Sequence, residues 1–321
     1  MPDAVKSVWE QNATPRHRIQ WCPGCGDFAV LNALKAALTT LELTPSEVLL
    51  VGGIGCSGQI RNYLNGNSFY GTHGGALAYA LGAKMANPEL TVLALAGDGD
   101  TLAIGVENFV HISRRDPDIT LVIMDNGVYG LTKGQDSPSA GLGKHDGVFS
   151  EEHPPFLDPV KLALTCGATF IAQTFSGDPK HATEMYVEGV RHKGFAMVND
   201  FSPCVTYNKF NTYDWFRAHC EMVPKDHDPS SEDAAWELIR DFERRDKLPL
   251  GVIYRRPRPR RRQSACRCGR PSWRASPSSR CCRGSADGVP GARWDIALAG
   301  ASPGSGFRGR DRGWACVKTE R

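Results

Sequence analysis

The 321-residue chain lacks any apolar run approaching the roughly 18 to 20 residues that a membrane span needs. Its first residues, MPDAVKSVWEQ, lack the basic start and apolar stretch of a secretory leader. A membrane-spanning or exported protein is therefore not expected, and the cytosol is the expected compartment. The chain also lacks a strong net charge, at +3, and shows no internal repeat. It has eleven cysteines, but in a cytosolic chain they do not read as a disulfide framework. What it does have is 41% hydrophobic residues, enough for a real core.

The small net charge is the sum of two opposed segments. Residues 255–321 hold sixteen Arg and one Lys against four acids, a net +13, which leaves −10 for residues 1–254. After Gly251-Val-Ile-Tyr254 the text turns to Arg, Pro, Gly, Ser, Cys and Trp, with no helical or strand period. Such a stretch is what an out-of-frame reading of GC-rich DNA produces. A basic arm for nucleic acid is the functional alternative. Without packable periodic segments the tail is expected to be disordered. No function is assigned to it, and nucleic acid is not an expected partner.

Residues 1–254 alternate short apolar runs with amphipathic segments. Val48–Val51, Thr91–Ala96, Ile119–Met124, Thr169–Ala172 and Phe195–Val198 are continuous runs, as expected of strands buried on both faces of a parallel sheet. Between them, Phe28, Leu31, Leu34, Leu38 and Leu41 recur at helical steps, and Gly75–Ala86, Ala103–Arg115, Val160–Gly167, Asp178–His192 and Ser231–Arg245 have helical character. The alternation predicts an α/β fold with a doubly wound, mainly parallel sheet.

The loops after the strands hold the unusual residues: Gly52-Gly-Ile-Gly55-Cys56-Ser57-Gly58, Gly97-Asp98-Gly99-Asp100, Asp125-Asn126-Gly-Val128-Tyr129-Gly130 and Asn199 to Cys204. In open α/β sheets, ligands bind beyond the carboxyl ends of the strands. Asp98 offers a carboxylate, Asn126 an amide oxygen and Val128 a carbonyl. Magnesium takes such oxygen ligands together with phosphate oxygens. Glycines let the backbone approach those phosphates, and a following helix N-terminus favours their charge. The bland alternative is two glycine-containing turns with solvated acids. A GDG with Asn some thirty residues later resembles the thiamine diphosphate signature.

Cys22-Pro-Gly-Cys25 precedes a helix, and Cys56 and Cys204 lie on loops at the same sheet edge. Four such thiolates suit zinc or an iron–sulfur cluster, and the close pair could be a dithiol switch. Spacing does not choose between the metals. A cluster beside a thiamine site makes chemical sense as an electron acceptor, whereas a structural zinc adds nothing to that chemistry. Cys166 reads as a core residue and Cys220 has no sequence partner.

Trp21-Cys-Pro-Gly-Cys-Gly26, Gly52 to Gly58, Gly97-Asp-Gly-Asp100, Met124-Asp-Asn126, Tyr129-Gly-Leu-Thr-Lys-Gly-Gln135 and Ser202-Pro-Cys-Val205 stand together in one order. Over residues 15–254 they resemble the beta subunits of 2-oxoacid:ferredoxin oxidoreductases, especially the 2-oxoglutarate and general 2-oxoacid branch. The resemblance implies a thiamine diphosphate-binding fold and one 4Fe-4S cluster on Cys22, Cys25, Cys56 and Cys204. It also implies Mg2+ on Asp98, Asn126 and Val128, with the cofactor shared with an alpha subunit. Gly55, Cys56, Ser57, His73, Gly97, Asp98, Gly99, Asp100, Asn126, Val128, Tyr129, Gly130 and Leu131 would line the cofactor site. The implied reaction is oxidative decarboxylation of a 2-oxoacid to acyl-coenzyme A, with electrons passed to ferredoxin. His73 and Lys133 would take catalytic or substrate-binding roles, Lys133 favouring 2-oxoglutarate. A departure is His73-Gly74-Gly75, where the family has His-Gly-Arg. The rival readings are a non-oxidative thiamine enzyme and a zinc-stabilised scaffold or regulatory subunit.

Overall fold

The computed structural model describes residues 8–9, 18–142 and 156–257. These lie in the first of two units, Met1–Arg274; the second, Ala275–Arg321, lies outside the described residues. So does the expected disordered tail from residue 258 onward. The helices and strands, in chain order, are α1 (Asp27–Thr40), β1 (Val48–Gly52), β2 (Asn67–Tyr70), α2 (Ala76–Ala86), β3 (Thr91–Gly97), α3 (Val106–Arg115), β4 (Ile119–Asp125), β5 (Val128–Tyr129), β6 (Gln135–Asp136), α4 (Pro159–Thr165), β7 (Phe170–Phe175), α5 (Pro179–Arg191), β8 (Phe195–Phe201), α6 (Tyr213–His219), β9 (Cys220–Met222), α7 (Glu232–Arg244) and β10 (Leu248–Arg255).

Eight strands form one sheet in the order β2-β1-β3-β4-β8-β7-β10-β9, and β5 pairs with β6 in a small hairpin. Only β10 runs antiparallel to its neighbour β7 in the large sheet; the other neighbours are parallel. The alternation of each strand sends side chains to both faces. Leu93, Leu95, Val122 and Met124 meet α1 and α5 on one side. Val92, Ala94, Leu121 and Ile123 meet α2, α3, α4 and α7 on the other. Burial on both faces removes the need for polar alternation, which is why these strands are unbroken apolar runs.

Two expected strands run further than their apolar residues. β7 continues through Gln173 and Thr174, and β8 through Asn199 and Asp200, all buried. Gln173 Nε2 donates to Pro249 O at 3.0 Å and Thr174 Oγ1 meets His181 Nδ1 at 2.8 Å, whereas Asn199 Oδ1 and Asp200 Oδ1 are buried without a hydrogen bond. The helix expected at Ala103–Arg115 is divided. A wide π-type turn (Gly99–Ile104) ends at Gly105, and α3 starts after it. A Cβ at Gly105 would stand 2.5 Å from Asp100 O, so the chain is pressed there against its own preceding turn. Arg255, the first residue of the expected tail, ends β10 and pairs with Glu188 at 2.6 Å. Among the described residues no helix is long and apolar enough to cross a membrane.

Candidate active site

From β1 the sheet continues to β2 on one side and to β3 and β4 on the other. The loops beyond the carboxyl ends of β1, β3 and β4 therefore diverge and leave a crevice, the usual ligand position in such sheets. A cleft of about 90 Å³ lies there. It is lined by Ile54, Gly55, Cys56, Ser57, His73, Gly97, Asp98, Gly99, Asp100, Asn126, Val128, Tyr129, Gly130, Leu131 and Thr132. Every residue expected to line the cofactor site is among them. Lys133 is not: it stands exposed on the turn between β5 and β6, with φ 77°.

Asp98 and Asp100 sit two residues apart and have different surroundings. Asp100 is 3% exposed, and its Oδ1 accepts the amides of Ile54 at 3.0 Å and Gly74 at 2.9 Å. His73 Nδ1 lies 2.8 Å from the same oxygen, yet without hydrogen-bond alignment. Asp100 thus ties the β1 loop and the His73 turn to the β3 loop. Asp98 Oδ2 accepts the hydroxyls of Ser137 and Ser139. Ser139 Oγ also lies 2.6 Å from Asp125 Oδ1. Ser139 has one hydroxyl proton for two carboxylates, so it answers only one of them at a time. Burial raises the Asp98 carboxyl, and burial followed by the Asp98 charge pushes Asp125 up to about 8. Asn126 Oδ1 accepts the Val128 amide at 3.0 Å, and its carbonyl accepts from Asn208 Nδ2 at 2.9 Å. Two buried acids meeting hydroxyls and an amide, with oxygen donors on the adjoining loop, are a set that a hard divalent cation fits.

The cysteine loops converge beside this cleft. Cys25 N–H donates to Cys22 O at 3.0 Å, closing a turn in which Gly24 has φ 85°. Gly26 N–H donates to Pro203 O at 3.1 Å, joining that turn to the Cys204 loop. A Cβ at Gly26 would be 2.7 Å from Ser202 C, so the close approach requires glycine. Trp21 Nε1 donates to Cys56 O at 2.7 Å. The Cys56 and Cys204 sulfurs lie 3.5 and 3.7 Å from where a Cβ on Gly130 would stand. All four thiols are free. Burial, then Asp27, then Cys204 and Cys22 push the Cys56 thiol up to about 11. Burial and Asp27, with smaller effects of Cys204 and Cys56, push Cys25 up further still. The four thiols therefore share one electrostatic neighbourhood. Among the described residues no three His, Cys, Asp or Glu side chains close on a single ion. Cys166 caps α4 and Cys220 begins β9, apart from this group.

Three contributors carry no motif in the sequence. Ser137 and Ser139 reach Asp98 from the loop after β6. Asp27, fully buried at the start of α1, accepts from Ser202 Oγ at 2.6 Å. Burial pushes Asp27 up to about 6 against the hydrogen bonds of Ser202 and Ser57. A short polar loop and a helix-initiating acid give no sign of these roles.

The departure at Gly75 also has a structural counterpart. A Cβ on Gly75 would lie 2.6 Å from Tyr79 Cε2, and one on Gly71 would lie 2.4 Å from the same ring. The Tyr79 hydroxyl accepts from Thr72 N–H at 3.1 Å and bonds Thr72 Oγ1 at 2.9 Å. The ring fills the space of a side chain at 75 and braces the turn that carries His73.

Fold and cleft together define a thiamine diphosphate-binding domain of the α/β class. Residues 53–199 match the thiamine pyrophosphate enzyme, C-terminal TPP binding domain. Residues 204–266 match the C-terminal family of the pyruvate ferredoxin oxidoreductase beta chain. The chain is 38% identical over 248 residues to the 2-oxoacid:ferredoxin oxidoreductase subunit beta of Saccharolobus solfataricus, covering 73% of this chain and 81% of the relative. It is 37% identical over 195 residues to the 2-oxoglutarate synthase subunit KorB of Methanocaldococcus jannaschii, covering 60% and 72%. A solved 2-oxoglutarate:ferredoxin oxidoreductase from Magnetococcus marinus, with 2-oxoglutarate, coenzyme A and succinyl-CoA bound, superposes with a TM-score of 0.72 at 37% identity, covering 79% of this chain and 86% of that one. The chain belongs to the beta subunits of the 2-oxoacid:ferredoxin oxidoreductases, an enzyme family.

Proposed function

We propose that this chain supplies the diphosphate-binding and electron-accepting half of an enzyme that oxidatively decarboxylates a 2-oxoacid, with 2-oxoglutarate favoured, to acyl-coenzyme A. The observation that carries this reading is the meeting of two groups at Gly130: the Asp98 cleft on one side and the Cys56 and Cys204 sulfurs on the other. Thiamine diphosphate, when bound, supplies an electron sink for loss of carbon dioxide. Asp98, Asn126 and the Val128 carbonyl would hold Mg2+ against its diphosphate. Cys22, Cys25, Cys56 and Cys204 would hold a 4Fe-4S cluster, which beside the thiamine site could accept electrons. Asp100 holds the turn that carries His73 at the cleft through the Gly74 amide, and the imidazole there would hold or pass a proton. Lys133, exposed on the adjoining turn, would meet the second carboxylate of a dicarboxylic substrate. The small cleft is completed by an alpha subunit, and ferredoxin takes the electrons.

The test is anaerobic co-expression with the alpha subunit, followed by iron, sulfide and zinc assays and by 2-oxoacid- and coenzyme A-dependent ferredoxin reduction. Cys22→Ser, Cys56→Ser and Cys204→Ser should each lower iron and sulfide content, whereas Cys166→Ser should not. Stoichiometric zinc without sulfide would sink the cluster assignment.

A further inference from the structure

A second cleft adjoins the cofactor cleft on the other side of the turn that follows Cys56. This turn, a 3-10 helix over Ser57–Asn62, lines the first cleft with Ser57. Its Gln59, Arg61 and Asn62 instead line a cleft of about 440 Å³, which Arg18 and Ser68 also border. Arg61 is 7% exposed, yet no carboxylate pairs with it or with Arg18 among the described residues. The Arg61 Cδ lies 2.5 Å from where a Cβ on Gly52 would stand, so the stem is seated on the end of β1. Nη1 donates to Gly58 O at 2.6 Å, and Cζ stands 3.7 Å from the Tyr70 ring centroid. Burial lowers the Arg61 pKa. A carbonyl and a ring face orient the guanidinium without neutralising it, and a buried charge without a counter-ion is costly.

The other polar groups here are chiefly donors or amides. Asn62 Nδ2 bonds Gln59 Oε1 at 2.8 Å, so the two amides are held in place across the turn. A guanidinium fork held in one plane matches the paired oxygens of a phosphate. The four-residue step from Ser57 to Arg61 spans about 8 Å in 3-10 geometry. A phosphate seated at Arg61 would thus lie within reach of an extended ligand that enters the cofactor cleft.

We propose that Arg61 and Arg18 form a binding site for a phosphate group, the phosphate of coenzyme A or free phosphate. The identity of coenzyme A as ligand rests on the proposed function; the phosphate site does not. The test is calorimetric titration of the alpha–beta complex with coenzyme A, dephospho-coenzyme A and inorganic phosphate, in the wild type, Arg18→Gln and Arg61→Lys. Arg61→Lys keeps the charge and removes the fork. Arg18→Gln changes an exposed residue and guards against misfolding.

Each variant should weaken phosphate binding about tenfold, with thiamine diphosphate affinity unchanged; Arg18→Gln should also flatten the salt dependence, whereas Arg61→Lys, which keeps the charge, should not. Competition between inorganic phosphate and coenzyme A would identify the coenzyme as the source. Phosphate binding that coenzyme A does not displace would identify free phosphate. Dephospho-coenzyme A binding as weakly as the variants would place the terminal phosphate monoester in the site. Equal affinity of wild type and both variants for every probe would overturn the proposal, as would no phosphate or coenzyme A binding in the wild type. Asp98→Ala, which tests the cofactor reading, should leave phosphate binding intact, so the two readings fail separately.

Discussion

Replacing Gly75 with arginine would restore the residue that the family pattern carries beside His73, and by that logic should help the enzyme. The structure predicts the opposite. Gly75 has φ −85° and ψ −8°, open to any residue, so the backbone is no obstacle. The obstacle is Tyr79, with Cε2, Cζ and Oη at 2.6, 2.9 and 3.0 Å from a Cβ at 75. Ordinary contact begins near 3.4 Å, so the ring must retreat by roughly 1 Å and release both bonds to Thr72. Overpacking costs about 1–3 kcal/mol and each lost hydrogen bond about 0.5–1.5 kcal/mol. Partial exposure of Thr72 and Tyr79 favours the lower ends. Gly75→Arg should therefore destabilise by about 2–4 kcal/mol, or roughly 5–15 °C in melting temperature for a body of this size. It should also loosen the His73 turn and raise the KM for the 2-oxoacid in the holoenzyme. Gly75→Arg combined with Tyr79→Ala should recover at least about 1 kcal/mol relative to the additive expectation, because the two side chains compete for one space. Thermal denaturation of the four proteins of this cycle measures the coupling. A Gly75→Arg protein as stable as wild type, or a strictly additive double variant, would refute the reasoning.

Asp98→Ala should lower thiamine diphosphate affinity of the alpha–beta complex at least about 100-fold while leaving the fold intact; unchanged retention of the cofactor on gel filtration would remove Asp98 from the assignment. Burial, opposed by the Tyr186 hydroxyl, pushes Asp200 up to about 7, so the folded state holds a proton that the unfolded chain releases near pH 4. Its stabilising effect is full below about pH 4 and is lost as pH rises through 7, worth a few kcal/mol at most. Wild type should accordingly lose stability relative to Asp200→Asn between pH 5 and 8, and denaturant titrations with a constant difference across that range would contradict the assignment. Cutting the chain after Pro257 should preserve thiamine diphosphate binding, since β10 and the Arg256 amide bond to Thr169 O at 2.8 Å remain; loss of binding on that truncation would show that the basic tail belongs to the fold.

The parts of the fold legible in the sequence are those buried on two faces. β1, β3 and β4 stand out because their interiors are almost wholly apolar, with Thr120 the one polar residue inside β4. β7 and β8 are legible only up to Gln173 and Asn199, since a buried polar residue with a partner looks the same in sequence as a solvated one. β2 is exposed along its whole length at the sheet edge, and Asn-Ser-Phe-Tyr has no periodic sign. β10 is hidden because Pro249 and Gly251 interrupt it; Gly251 has φ 138° and the ladder shifts register between Val252 and Tyr254. At the site, the glycine-flanked loops are readable because close packing restricts residue type: a Cβ on Gly99 would stand 2.3 Å from Tyr129 Cε1 and one on Gly58 1.9 Å from Gly53 O. Ser137, Ser139, Asp27 and Tyr79 are not, because their roles come from where other chain segments bring them.

Asp98 and Asp100 show why the GDGD text alone does not assign its acids. In sequence either carboxylate could meet a metal. In the fold, one Asp100 oxygen receives two backbone amides, so its charge is already answered by fixed dipoles and its work is to join three loops. Asp98 receives the Ser137 and Ser139 hydroxyls, the second of which also faces Asp125, and among the described residues no basic side chain pairs with either acid. A buried acid pair left in this state gains most from a divalent cation, because that one ligand relieves both the desolvation and the mutual repulsion. Loading with Mg2+ and diphosphate would then reorganise Asp98, Ser139 and Asp125 while leaving the Asp100 joint unchanged. On the proposed function, the β3 loop would divide its labour between neighbouring acids, Asp100 for the scaffold and Asp98 for the ligand.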